Sequence, residues 1–202
     1  MLSRSIFRFF ALVATLVLSF AAGAQSYPSK SLRIVVPFGA GGVADLTART
    51  VAQKMSESLG QSVVIDNRPG AGGIVAAEMV AKSEPDGYTL LLGTSSTQII
   101  NPLASGTATY DAIKDFNLVG MVSINPTCIV VNPSVPANNL RELVNLIKSS
   151  PGKYSYGSAG PGTITNLTGE LFKLQGGRLD VQHVPYKGGG PAMQDLVAGH
   201  VP

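Results

Sequence analysis

The sequence predicts an α/β protein organised on a parallel sheet. Three observations carry that expectation. Short apolar runs rich in Val, Ile and Leu alternate with longer stretches whose apolar residues recur at helical spacing. Glycine-rich turns repeatedly stand between a run of the first kind and one of the second. Of 202 residues, 45% are hydrophobic and 13% charged, and the 23 glycines have no collagen period, so the chain has the means to pack a core.

Leu32–Val36 reads as a buried strand, and residues 43–59 place Val43, Leu46, Val51, Met55 and Leu59 at roughly helical spacing. A second strand over 62–65, a second helix over 74–82 and a third strand over 88–92 complete a βαβαβ pattern. Such crossovers return the chain in the same direction, hence the parallel sheet. Residues 118–124 and 127–131 are expected as further strands, interrupted at Asn125-Pro126 because proline cannot donate to a ladder. The chain is expected to cross there into a second unit, read as helix 139–149, strand 154–156, helix 163–174, strand 181–184 and helix 191–198. The expected organisation is a leader over 1–24, an N-terminal α/β domain over 25–125 and a second, incomplete α/β domain over 126–202.

The leader has a basic start at Arg4 and Arg8, an apolar run over 9–22 and small residues Ala22-Gly23-Ala24 at a cleavage site, the pattern of a secretory signal peptide. The run is shorter than the ~20 residues of a membrane span. The mature chain is expected to begin near Gln25 and to be exported as a soluble protein. Arg4 and Arg8 account for two of the three net positive charges, and no Lys/Arg run follows, so nucleic acid is not an expected partner. Cys128 is the single cysteine, which excludes an intrachain disulfide and a multi-cysteine metal site. It is expected to pack within its strand as a small hydrophobe.

Three glycine-rich turns carry the functional signal. Pro37-Phe38-Gly39-Ala40-Gly41-Gly42 joins the first strand to its helix, where open α/β sheets place ligands. Residues 155–163, with Ser158, Gly160, Gly162 and Thr163, and the run Pro185-Tyr186-Lys187-Gly188-Gly189-Gly190 repeat the device. Glycines let backbone N–H groups converge, and a helix N-terminus adds positive potential, so such turns attract an anion without a cationic side chain. The candidate ligand-binding residues are Phe38, Gly39, Gly41, Gly42, Asp45, Ser95, Ser96, Ser158, Gly160, Thr163, Asn166, Tyr186 and Gly188. Several have a second reading. Asp45 can stabilise the helix end, Ser95, Ser96 and Thr163 can cap helices, and Tyr186 can simply pack. Lys187 is expected to be solvated, and His183 and His200 to be structural.

Enzyme signatures fail one by one. No Gly-Lys-Ser/Thr follows the glycines, so there is no P-loop. Tyr156 stands where a serine-hydrolase elbow needs its first glycine, and no metal-ligand cluster is apparent. The first turn does match the relaxed dinucleotide pattern, with Asp66 where a ribose-binding acid would lie. An exported dinucleotide-binding oxidoreductase is therefore the alternative reading.

A series of fragments in order gives a more specific reading. Tyr27-Pro28-Ser29-Lys30, Pro37-Phe38 with Gly41-Gly42-Val43-Ala44-Asp45, Asp66-Asn67-Arg68-Pro69-Gly70, Pro85-Asp86-Gly87-Tyr88, Gly169-Glu170-Leu171-Phe172 and Val184-Pro185-Tyr186-Lys187-Gly188-Gly189 resemble the Bordetella uptake gene receptors. These are the solute-binding proteins of tripartite tricarboxylate transporters. The resemblance covers essentially the whole expected mature chain. It implies a two-domain, Venus-flytrap architecture of type II-like periplasmic binding proteins, incomplete in this chain. It also implies a monomer that closes on a small carboxylate through amides and ordered water and hands it to membrane permease subunits, with no catalysis, cofactor or metal. Asn166 stands where many members have His and Thr163 where many have Ser, which leaves the preferred carboxylate open. Such receptors usually continue for about another hundred residues, so the chain is expected to be a truncated receptor. A receptor that signals without transport is a further alternative.

Overall fold

The computed structural model describes residues 27–202, so the expected leader and its cleavage site lie outside the described residues. Strand β1 (Leu32–Val36) is central. It pairs in parallel with β2 (Val63–Asn67) on one side and β3 (Thr89–Leu91) on the other, giving the order β2-β1-β3. A strand covered on both edges and both faces can be apolar throughout, and Leu32, Ile34, Val35 and Val36 are all buried.

The two faces of this sheet have separate cores. Helix α1 (Val43–Leu59) lays Ala48 and Ala52 on Ile34 and Val36, with Val63, Ile65, Leu90 and Leu92 alongside. Helix α2 (Ile74–Ala81) packs Ile74 and Ala77 with Leu91, Tyr110 and Phe116. Leu90 and Leu92 on one side and Leu91 on the other show the period of two that a pleated strand imposes. After β3 the chain forms a wide-turned π-helical segment, Ser96–Ser105. Tyr110 fastens it through a hydrogen bond to the carbonyl of Thr97.

The second half carries helix α3 (Leu140–Ser149), strand β4 (Tyr154–Ser158), helix α4 (Ile164–Gln175), strand β5 (Val181–Pro185) and helix α5 (Gly189–Ala198). Strands β4 and β5 pair in parallel, Ser158 opposite Pro185. Val135, Leu143, Ile147, Leu179 and Val181 form its core. Asn139 caps α3, accepting from the amide of Glu142 at 3.0 Å, while Glu142 accepts from the amide of Asn138 at 2.8 Å. Helix α5 begins two residues before the expected position. Its Pro191 falls in the first turn, where no intrahelical N–H is required.

Residues 118–131 depart from expectation. They are not strands. Leu118, Met121 and Ile124 are at least 80% exposed, and Cys128 is exposed instead of packed. A strand exists only as a member of a ladder, and among the described residues none pairs with this segment. Apolar patterning therefore marked a segment fit for a sheet without supplying its neighbour.

Candidate functional site

The first turn is built by side chains that point into it. The β1–β2 register sets Val36 opposite Asn67, which carries the Asn67 amide to the turn. Its Nδ2 donates to the Phe38 carbonyl and to Asp45 Oδ1, each at 3.0 Å. Asp45 also accepts from the amide of Gly41 at 2.9 Å and from Arg49 Nε at 3.0 Å. The Arg49 hydrogen bond, with those from Gly41 and Asn67, holds its carboxyl below the usual range against the opposing effect of burial. Asp45 is 2% exposed, so its carboxylate shapes the loop from behind.

The Tyr186–Gly190 turn meets this loop backbone to backbone. The amide of Gly39 donates to the carbonyl of Lys187 at 2.7 Å. A Cβ built on Gly188 would lie 2.9 Å from the nitrogen of Gly39 and 3.1 Å from Phe38 Cβ, and one on Gly190 would overlap the carbonyl oxygen of Ala40. One on Gly42 would sit 3.2 Å from the nitrogen of Gly190 and 3.5 Å from that of Gly189. These glycines are needed because the two turns touch.

That contact has an electrostatic consequence. Gly42 caps α1, and Gly189 and Gly190 open α5, so two helix N-termini come together. First-turn amides have no intrahelical acceptor. Among the described residues, no protein acceptor is placed on the amides of Ala40 or Gly42. Two positive dipole ends at close range repel; the Asp45 carboxylate offsets that of α1, and an anion at the amides without an acceptor would offset the pair further.

The third turn closes the same interface from another side. Ser96 Oγ accepts from the amide of Ile164 at 3.0 Å, and Asn101 Nδ2 donates to the carbonyl of Gly72 at 3.0 Å. A Cβ on Gly72 would come within 2.7 Å of the carbonyl of Pro161. Thr163 Oγ1 donates to the carbonyl of Gly160 at 2.6 Å and caps α4, while Asn166 accepts from the amide of Gly162 and donates to the Tyr156 hydroxyl. Ser158 and Thr163 are buried, as are Gly160 and Gly188, whereas Ser95 is exposed beside buried Ser96. Tyr186 donates to Asp195 at 2.7 Å, which pushes its phenol up to about 12.

The structure thus gathers Phe38, Gly39, Gly42, Ser96, Gly160, Thr163, Gly188 and Tyr186 around one interface. Asp45, Thr163 and Asn166 spend their polar atoms shaping the turns. Lys187 contributes its carbonyl while its side chain is exposed. Asp66 is paired with Arg68 Nε at 2.8 Å and Arg33 at 3.5 Å. Sequence reasoning missed Asn67 and Asn101, whose roles depend on strand register and on the fold of the π-helical segment. It also gave no partner to His183, which meets Ser158. A cavity of about 240 Å³ runs along β4, lined by Tyr154, Tyr156, Phe172, Met193 and Leu196 and reaching Ser158 and Gly189 at the turns. Its lining is mostly apolar, a poor match for a charged ligand.

Residues 47–202 match the family model described as Tripartite tricarboxylate transporter family receptor. The chain is 41% identical over 197 residues to a UPF0065 protein of Bordetella pertussis, covering 98% of this chain and 60% of the relative. Among solved structures, the R. palustris protein Rpa4515 with adipate is 38% identical with a TM-score of 0.83, over 87% of this chain and 58% of that one. MatC of Rhodopseudomonas palustris with bound malate is 32% identical with a TM-score of 0.81, over 87% of this chain and 59% of that one. The chain therefore spans about 60% of the length of the proteins it matches.

Proposed function

This chain belongs to the tripartite tricarboxylate transporter receptor family, and from that premise we propose that it contributes the carboxylate-binding turns of a periplasmic solute receptor. The observation that carries the reading is the meeting of the Gly39–Gly42 and Lys187–Gly190 turns, which brings two helix N-termini together. The ligand class is a small dicarboxylate. Adipate and malate in the two structural relatives suit amide donors of this kind. Backbone donors recognise a carboxylate geometrically and leave the remainder of the ligand to other contacts.

The leader over 1–24 directs export, and the receptor delivers its ligand to permease subunits in the membrane. Residues 25–125 and 126–202 form the two domains whose interface is the binding cleft, and the receptor acts as a monomer without catalysis. The dinucleotide alternative is weaker, since Asp66, the residue assigned to a ribose hydroxyl, is engaged by two arginines. Calorimetric titration of the chain with adipate, malate and NAD tests the assignment. Saturable binding of a dicarboxylate and none of NAD is the expected result. Binding of NAD alone would replace the receptor reading with the oxidoreductase one.

A further inference from the structure

His183 lies on β5, one strand from the turn that ends β4, and its Nε2 is 2.7 Å from Ser158 Oγ. Ser158 is 2% exposed, so the serine end of this hydrogen bond is buried and one proton is shared between the two groups. The hydroxyl oxygen already accepts from the amide of Gly160 at 3.0 Å. Its own proton has two protein acceptors available. One is the ring nitrogen at 2.7 Å; the other is the carbonyl of Gly160 at 3.3 Å, which Thr163 Oγ1 already occupies at 2.6 Å. While His183 is neutral with its proton on Nδ1, the short contact takes the Ser158 proton.

Protonating the ring reverses this. Both ring nitrogens then donate, Nε2–H points at Ser158 Oγ, and the hydroxyl proton must turn away from the ring toward the 158–163 turn. The protein acceptor left to it there is the Gly160 carbonyl at 3.3 Å, already held by Thr163, so an anion in the turn would be the stronger acceptor, next to a new positive charge. We propose that His183 is a proton-linked positioning residue of the anion site, its hydrogen bond to Ser158 deciding whether that hydroxyl donates to the ring or to a bound carboxylate. This rests on the receptor reading above and adds a regulation to it.

The charged and titratable groups around the ring fit such a role. The Tyr156 ring on β4 stacks on His183 with centroids 4.9 Å apart, and its hydroxyl donates to Glu170 on α4 at 2.6 Å. Glu170 favours the protonated ring and Lys173, also on α4, opposes it. Burial dominates and keeps the unliganded ring below its ordinary value, hence neutral at pH 7. Ser158 faces it from the end of β4. A carboxylate in the turn shifts the balance toward the protonated ring, and by reciprocity the protonated ring holds the carboxylate more tightly.

The test combines histidine ring NMR with calorimetry on the chain, using adipate as the probe. Saturating adipate is expected to raise the His183 titration midpoint by roughly one pH unit, equivalent to about tenfold tighter binding to the protonated form. Between pH 7.5 and 5.5, adipate affinity of wild type should gain about fivefold relative to His183→Gln, which carries only the titration of adipate itself. Ser158→Ala should abolish the midpoint shift and the gain in affinity between pH 7.5 and 5.5, matching His183→Gln. If either variant fails to fold, the wild-type NMR titration decides alone. Adipate binding that leaves the His183 midpoint unmoved would overturn the proposal and spare the receptor reading. Binding of neither adipate nor malate at any pH would overturn the receptor reading and the proposal with it.

Discussion

Replacing Gly190 with Ala isolates the contact between the two turns. Gly190 is the second residue of α5, so in an isolated helix alanine would stabilise by up to about 1 kcal/mol. The surroundings reverse that sign. The new methyl group would overlap the carbonyl oxygen of Ala40 and lie 3.0 Å from the nitrogen of Gly42, and both obstacles are backbone. Overpacking of this kind costs about 1–3 kcal/mol, because no flexible side chain can swing aside. The net expectation is a loss of about 1–2 kcal/mol in the contact, read as a fall of roughly tenfold in adipate affinity. Gly41→Ala is the control. A Cβ there meets nothing within 4 Å, but φ is +82°, so it costs about 1–2 kcal/mol of local strain without separating the turns. Urea melts and calorimetry on both variants make the comparison. If Gly190→Ala were more stable than wild type and bound adipate equally well, the turns would not be in contact and the site would lie elsewhere.

Asp45→Ala leaves the amide of Gly41 and the Arg49 Nε without their acceptor and removes one of the two that Asn67 has, and should cost about 1–3 kcal/mol in a urea melt. The Asp45 carboxyl titrates below its unfolded value of 3.8, so its contribution is present above pH 3.8 and lost as pH falls through the folded value; acid melts of wild type and Asp45→Asn should converge there. Ser96→Ala removes the acceptor of the Ile164 amide across the interface and should lower adipate affinity by about fivefold, close to 1 kcal/mol. Lys187→Ala keeps the carbonyl that receives Gly39 and removes only an exposed ammonium, so affinity should change by less than about threefold.

The βα units were legible because their signals are local. Leu32–Val36 is apolar at every position but Arg33, as a central parallel strand requires; Gly42, Asn139 and Thr163 mark helix starts by chemistry that acts within one turn. Residues 118–131 were misread because a strand depends on a neighbour, which its own residues do not encode. At the site, the glycine turns stood out in the sequence, but the reason for Gly188 and Gly190 did not. It is a backbone from the other end of the chain, visible only when Gly39 and Lys187 are seen to bond. Asp45 could be named but its direction could not, since Asn67 reaches it only through the β1–β2 register. His183 gave no signal because its partner, Ser158, lies 25 residues earlier on the adjacent strand.

The proposed carboxylate position is the amides of the two touching turns, not the apolar cavity beside β4. Backbone amide NMR of the chain during titration with adipate tests this most directly. Saturable shifts centred on Ala40, Gly42 and Gly190 are the predicted result. Saturable shifts confined to the cavity residues Tyr154, Phe172 and Leu196, with the glycine amides unmoved, would contradict it.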